Sequence, residues 1–558
     1  MSHTNHKGCD VLLIGFEGQE NLGLRSVAAY LIREGIAVEI EPLQGVSQER
    51  ILARIRERDP KIVGLSLIFQ RMFDDYVDLI SYLRKHGVKA HLTIGGHFPT
   101  FEFERILSSV PGLDSVIRHE GEDTLLELFQ KLDQPESWPE IKGLAFRKDG
   151  KIHATPPRHL VPNLDTLPFP LRDPCGATHR GIGIRSIAGS RGCYYDCTFC
   201  SIHEFYKRSP GHRRRTRSPE NLVQEMEELF HDYGVRIFIL QDDDLFMRGR
   251  RHREWLEGLL TELKARKMDD QILWRVSCRV DDVDAKFLTR MKAAGLAGVY
   301  LGIESGSEQG LKTFNKRYRV SDVFRTLEVL RNVALPFEFG FMIFEPYSTM
   351  DSVRENIEFL KRIGNYGDSL VHFCKMSPYA GTAIARRLEA EGRLEGSVSC
   401  PDYRFLDPRL DLLQLFYSQT FNFRNFDDRG LVERLRFAKF DACVVAKFFA
   451  EEHDAKAYRE AVSELIRQSN ESALETMSLG ANFMEAHDAS EVIAHWQVLE
   501  ELRQQEQLVE NQITATLDPL MIAYGFEASL ASQEARVTVW PPEPEAIKRH
   551  FDVAVGAD

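Results

Sequence analysis

Two kinds of stretch alternate over residues 8–130. "DVLLIGF" (10–16) is a continuous apolar run of strand length, and "LRSVAAYLIREG" (24–35) has helical apolar spacing until Gly35 stops it. "AVEIEPL" follows, then "QERILARIRER" behind Ser47 as a helix cap, then "IVGLSLIF" (62–69), "YVDLISYLRKHG" and "KAHLTIGG" (89–96). Buried apolar strands that alternate with amphipathic helices predict a parallel, doubly wound sheet. Residues 133–180 are proline-rich, with a weak hairpin at "LAFRKDGKIHA", and read as a linker with some structure of its own. From 183 the alternation resumes through "GIRSIAG", "VRIFILQDD", "ILWRVSCR", "AGVYLGIES", "FEFGFMIF" and "SLVHFCKMS". Strands at this spacing predict a partial barrel. Beyond about 385 the strand signal fades into a period of 3.6 residues, which predicts helices. The fold class is therefore α/β. It comprises a Rossmann-like sheet (1–135), a linker (136–180), a partial (β/α)6 barrel (181–385) and a mostly helical region (386–558).

Composition narrows the partners. The 558 residues exceed one ordinary core. The formal charge of −13 argues against a nucleic-acid-coating protein. No apolar run reaches the ~20 residues that span a bilayer, so no membrane partner is expected. The polar start "MSHTNHKGCD" runs straight into a strand, so no signal peptide is expected. Six of the nine cysteines (Cys9, Cys175, Cys278, Cys374, Cys400, Cys443) are scattered singly, which fits a reducing cytoplasm better than a disulfide scaffold.

The other three, Cys193, Cys197 and Cys200, stand in "SRGCYYDCTFCSIHEFY" (190–206). A structural zinc site needs four ligands, and no second cysteine pair follows. A thioredoxin-type motif needs two cysteines. Iron–sulfur clusters take closely spaced thiolates from one loop, and three ligands on four irons leave one iron open.

That spacing, with Phe199 before the third cysteine and a strand just upstream, resembles the radical S-adenosylmethionine (SAM) superfamily. "ILQDDDLF" (239–246), "WRVSCR" (274–279) and "LGIESGSEQGLKTFNK" (301–316) are similar to strand ends of the same family. The resemblance implies that Cys193, Cys197 and Cys200 hold a 4Fe–4S cluster whose open iron binds SAM. It also implies Phe199, Asp242, Ser277, Arg279 and Glu304 as SAM contacts.

The first sheet lacks GxGxxG and instead resembles cobalamin-binding domains. "GQENLGLRSVAAYL" (18–31) stands where those carry DxHxxG; aligned on Gly23, Glu20 takes the histidine position and Gly18 the aspartate position. The turn residues Glu20, Asn21, Leu22 and Gly23, then Ser66, the Gly95–Gly96 pair and Gly121, are the cobalamin contacts this implies. Without the histidine, cobalt has no strong lower ligand. Phe69, Gln70 and Arg71 are open candidates for covering that face.

Three further signals are weighed. "HRRRTR" (212–217) reads as a solvated basic patch or as contacts of the cluster loop. His487, Glu491 and His495 share one face of a predicted helix, expected to be solvent-exposed rather than a metal site. Cys374 and Tyr379, in "VHFCKMSPYAGT", fall at the active end of the sixth strand and are candidate catalytic residues.

The whole resembles a cobalamin-dependent radical SAM enzyme. The resemblance implies a methyltransferase that acts on an unactivated carbon, or a phosphinate phosphorus, of a small-molecule or peptide natural-product intermediate. A non-methylating member that catalyses cyclisation, ring contraction or rearrangement is the alternative. The cofactors implied are a 4Fe–4S cluster, SAM and cobalamin, with a flavodoxin- or ferredoxin-type electron donor as partner. The helical region is expected to cover the barrel mouth.

Overall fold

The computed structural model describes residues 8–526 apart from 19, 175, 247 and 248; Cys175 and the 527–558 end of the predicted helical region lie outside the described residues. The run at 10–16 forms β1 (Val11–Gly15), whose residues are all buried, and α1 (Leu22–Arg33) follows. The alternation continues through β2 (Val38–Pro42), α2 (Gln48–Arg58), β3 (Ile62–Ser66), α3 (Phe73–Lys85), β4 (His91–Gly95), α4 (His97–Ser109), β5 (Ser115–Ile117) and α5 (Glu122–Gln130). Ser47 caps α2, accepting from the Arg50 amide, as its position ahead of the periodic run requires. The five strands are parallel in the order β2-β1-β3-β4-β5. The turns that follow the strands therefore gather at one edge, beyond the strands' carboxyl ends.

The 136–180 stretch is more than a linker. Its hairpin, β6 (Leu144–Lys148) and β7 (Lys151–Ala154), pairs antiparallel with β5 and extends the first sheet to seven strands. The physical reason is burial: Leu144, Ala145 and Phe146 lie in the domain core, which short apolar runs between prolines did not reveal.

The second sheet begins with β8 (Thr178–His179), antiparallel to β9 (Ile182–Ile187). A ribbon of β10 (Ser190–Arg191) and β11 (Arg215–Thr216) then brackets the cysteines and α6 (Ser201–Lys207). Next come α7 (Pro219–Asp232), β12 (Val235–Leu240), α8 (Arg250–Ala265), β13 (Leu273–Cys278), α9 (Ala285–Ala293), β14 (Leu296–Glu304), α10 (Glu308–Thr313) and α11 (Val320–Val333). Finally β15 (Phe337–Phe344), α12 (Met350–Gly364) and β16 (Cys374–Lys375) complete an open, curled half-barrel in the order β16-β15-β14-β13-β12-β9-β8. All six predicted strands are present and parallel, although the last keeps only two residues of regular pairing.

Past α13 (Ala383–Ala390) and a hairpin of β17 (Leu394–Gly396) and β18 (Pro401–Tyr403), the chain is helical: α14 (Pro408–Phe426), α15 (Leu431–Phe448), α16 (Ala455–Ala486), α17 (Ala489–Ala494) and α18 (Trp496–Ala523). These helices reach the barrel at both ends of its strands: Tyr417 of α14 packs on Phe344, the last residue of β15. Leu431, Leu435, Ala438 and Val445 of α15 share a core with Ile237, Leu273 and Ala297, at the amino ends of the barrel strands. α15 thus packs on the floor, where the strands begin in apolar side chains, while α4 of the first domain meets α6 beside the cysteine loop. His487 and His495 are not on one helix either, since Asp488 caps α17 between them with a capping box to Glu491. Among the described residues no helix is long and apolar enough to cross a membrane.

Candidate functional site

The cysteine loop leaves β10 at Gly192, whose φ of +82° and close approach leave no room for a side chain: a Cβ there would stand 2.0 Å from the Arg213 carbonyl oxygen. Asp242 accepts from the Gly189 amide (3.0 Å) and the Ser190 hydroxyl, and Asp243 accepts from the Gly192 amide (2.9 Å). The end of β12 therefore holds the start of the loop. Thr198 fixes its far side, donating from its amide to Phe314 O (3.1 Å) and from its hydroxyl to Thr313 O (2.7 Å). Cys200 donates to Cys197 O (3.2 Å) and is the residue before α6. Burial pushes the Cys193 and Cys200 thiols up to about 12, so they hold their protons until a cation displaces them. Among the described residues no three ligating side chains meet closely enough for a single metal ion. Thiolates that each serve a separate iron of a cluster need no such meeting point.

The predicted SAM contacts divide. Arg279 is committed to the loop: it donates to Cys197 Sγ (3.6 Å), lies 3.6 Å over the Tyr195 ring and donates to Lys316 O (2.5 Å). Phe199 packs edge-on against Phe314. Ser277 is half-buried, on the same face of β13 as Arg275. Glu304 closes β14 with φ +70°, after a register shift that begins at Gly302, and its carboxylate meets Lys316 Nζ at 3.5 Å. Gly340 on the next strand leaves room for it, since a Cβ there would stand 3.1 Å from Glu304 Oε2 and 2.8 Å from the Tyr300 hydroxyl.

Asp242, the expected contact at the end of β12, is spent on the loop. Its neighbour Asp244 is not: both carboxylate oxygens are buried without a hydrogen-bond partner. Burial, then nearby Asp282, pushes its carboxyl well above the usual range, and it lies close enough to raise the Cys193 thiol too. A buried acid with no donor, beside the Cys193 thiol, is a seat for a cation. Reading "QDDD" alone could not choose it, because Asp242 and Asp244 share the same strand parity. Tyr300 and Lys316 were likewise passed over, and only the fold brings them to Glu304.

The turns expected to carry cobalamin line the opposing edge. Asn21 caps α1 through the Leu24 amide (3.0 Å) and donates to Ser66 Oγ (3.4 Å); Leu22 and Gly23 begin the helix. Gly96 has φ +120°, and a Cβ there would lie 2.2 Å from Leu67 O. That close approach demands glycine, whereas Gly95 and Gly121 meet only ordinary contacts at 3.4 and 3.5 Å. Phe69 stacks edge-on against Phe16 beneath Arg71. Gln70 has both ends of its amide engaged, donating to Val398 O (2.6 Å) and accepting from the Ala380 amide (2.9 Å). Exposed Tyr379 lies within electrostatic reach of Arg71 and Cys374, so the sixth strand's end meets the β3–α3 loop. Glu20 does not stand free above the turn; it accepts from the Ser186 amide of β9 (2.7 Å).

Further contacts join the two halves. His97 packs tilted against Phe205 of α6 and meets Ser201 Oγ at 3.4 Å, while His119 Nδ1 meets Phe205 O at 3.1 Å. Glu120 pairs with Arg191 (2.9 Å) and Arg215 (2.9 Å), and Glu122 with Arg191 (2.7 Å). "HRRRTR" is accordingly no solvated patch at Arg214, Arg215 and Arg217, which are buried around the cysteine loop.

The residues present fit both groups: three thiols on one loop beside an unpartnered acid, and a glycine cradle facing them. The comparisons agree. The family model of the B12 binding domain matches residues 15–129, and that of the radical SAM superfamily matches 187–360. The chain is 28% identical over 399 residues to the uncharacterised methyltransferase PH0819 of Pyrococcus horikoshii, covering 70% of this chain and 83% of that one. It is 25% identical to the anaerobic magnesium-protoporphyrin IX monomethyl ester cyclase of Cereibacter sphaeroides, covering 62% of this chain and 55% of the cyclase. The fold is similar to that of the cobalamin-dependent SAM radical enzyme OxsB, with a TM-score of 0.69 and 16% identity over 98% of this chain and 84% of that one. The chain is a B12-binding domain followed by a radical SAM domain. It is a cobalamin-dependent radical SAM enzyme, and its cofactors are cobalamin, SAM and a 4Fe–4S cluster.

Proposed function

We propose that this enzyme is a methyltransferase acting on an unactivated carbon, or a phosphinate phosphorus, of a small-molecule or peptide intermediate. One observation carries the reading: the cysteine loop, at the mouth of the half-barrel, faces the Gly95–Gly96 turn of the cobalamin domain through the α4–α6 contact. A substrate seated there lies between the two cofactor sites. The methyltransferase relative that aligns over 83% of its own length supports transfer over rearrangement.

The groups, when bound, supply a transferable methyl on cobalt and an organic radical from SAM. The chain does the rest. Cys193, Cys197 and Cys200 would hold the cluster, and Asp244 would take the methionine ammonium. Glu304, aimed inward by its positive φ and steadied by Lys316, would meet the remaining polar edge of SAM. Gly96 gives the cobalamin tail a bare backbone to lie on. Cys374, Tyr300 and Tyr379 would line the substrate chamber. Position and exclusion of water are the chain's contribution. A flavodoxin- or ferredoxin-type protein would supply the electron.

A non-methylating reaction is the second reading, favoured by the cyclase among the relatives. Methyl-labelled SAM separates the two. A methylase transfers the label and forms S-adenosylhomocysteine and 5′-deoxyadenosine in about equal amounts. Unlabelled product without S-adenosylhomocysteine would overturn methylation.

A further inference from the structure

Glu20 occupies the position where a cobalt-ligating histidine would stand, yet its carboxylate is directed into the barrel. Oε2 accepts from the Ser186 amide on β9 at 2.7 Å and lies 3.1 Å from Arg172 Nη1, while Oε1 lies 3.4 Å from Arg185 Nε. Both guanidinium side chains are almost wholly buried, at 6% and 4% exposed. Among the described residues Arg185 has no other carboxylate at ion-pair distance. The chain of charges continues. Arg172 pairs with Glu225 of α7 at 2.7 Å, Glu225 pairs with Arg217, and Arg217 donates to Ala188 O at 3.1 Å, in the loop that leads to Cys193.

We propose that Glu20 is a positioning residue, a latch between the domains. It withholds a carboxylate from cobalt and sets the cobalamin turn against β9 and, through Arg172, Glu225 and Arg217, against the cysteine loop. The inference rests on the reading that this turn carries cobalamin. Transfer of a methyl group between SAM and cobalt needs the two domains in one register, and misplacement by about an ångström can cost ~100-fold in rate. The buried arginines make the register steep: with Glu20 gone, Arg185 is left uncompensated in a dry interface.

The test uses the full-length reconstituted protein with hydroxocobalamin as the probe. In Glu20→Gln, amide exchange over 182–187 should rise and methylation of the reduced, bound cobalamin by SAM should fall at least tenfold. Electron paramagnetic resonance of the cob(II) form should keep the wild-type signal, because no cobalt ligand has been removed. A merely structural role would leave the methylation rate in step with the folded fraction. Glu20→Ala combined with Arg185→Met removes the stranded charge and should lose the same methylation rate if the single variant folds poorly. An altered cob(II) spectrum with unchanged exchange over 182–187 would place Glu20 at cobalt and overturn the latch. Failure of the wild type to bind hydroxocobalamin would instead overturn the domain reading, and the exchange comparison would still decide whether Glu20 joins the domains.

Discussion

Asp242, Asp243 and Asp244 are adjacent carboxylates with different surroundings. The first two accept main-chain amides of the loop that enters the cysteines, and the third has no donor at all. Burial raises the Asp244 carboxyl, and an ammonium arriving there would favour its charged form. A charge-assisted hydrogen bond contributes about 1.5–3 kcal/mol, which is roughly 10- to 150-fold in binding. Asp244→Asn should therefore weaken SAM binding by that factor while the reconstituted protein keeps its iron. Asp242→Ala should do the reverse, losing iron because Gly189 and Ser190 lose their anchor. Equilibrium binding of SAM beside an iron assay reads both, and undiminished SAM affinity in Asp244→Asn would remove the residue from the site.

At the scale of elements, the cysteine loop is held from three directions: by the β12 end, by α10 through Thr198, and by α13 through an Ile384 amide that donates to Thr198 O at 3.0 Å. So held, the loop should keep its fold without metal. Cys193, Cys197 and Cys200 changed together to alanine should reduce bound iron from about four per chain to none, with little loss of helical circular dichroism. Iron retained by the triple variant would mean other ligands. Much at this scale was legible. The α2 boundaries follow from Ser47 and a clean period, and the barrel strands from apolar runs at barrel spacing. The break at Asp488 was legible too, as a capping box with Glu491, but a continuous helical period on both sides hid it. The site of docking was not legible. The apolar stripe of α15 says that it packs, whereas Ile237 and Leu273, its partners on the barrel floor, lie far away in sequence. The role proposed for Asp244 was hidden for the same reason, since it depends on which loop each carboxylate meets.

Over the whole molecule, the proposed chamber lies where two α/β domains meet, so conditions that part them should stop the reaction before either unfolds. His97 and His119 both pack tilted against Phe205 at that junction. Burial lowers the His97 ring to about 4, and burial with Arg118 beside it lowers His119 to about 4 as well. Arg208 and Glu120 also face His119 and pull in opposite directions. Each folded-state value lies below the unfolded value of about 6.5, so the neutral ring favours the joined state. The stabilisation is complete above about pH 6.5 and is lost as pH falls toward 4. At pH 5 the loss is on the order of 2 kcal/mol for each ring, from the linkage of one titrating group. Amide exchange in α4 and α6 should therefore rise between pH 7.5 and 5, ahead of exchange in the buried strands β1 and β3. His119→Asn removes one titration while tolerating the φ of +66° at that position. It should flatten the pH dependence by about half, whereas an equally steep profile in the variant would assign the junction's acid sensitivity to other groups.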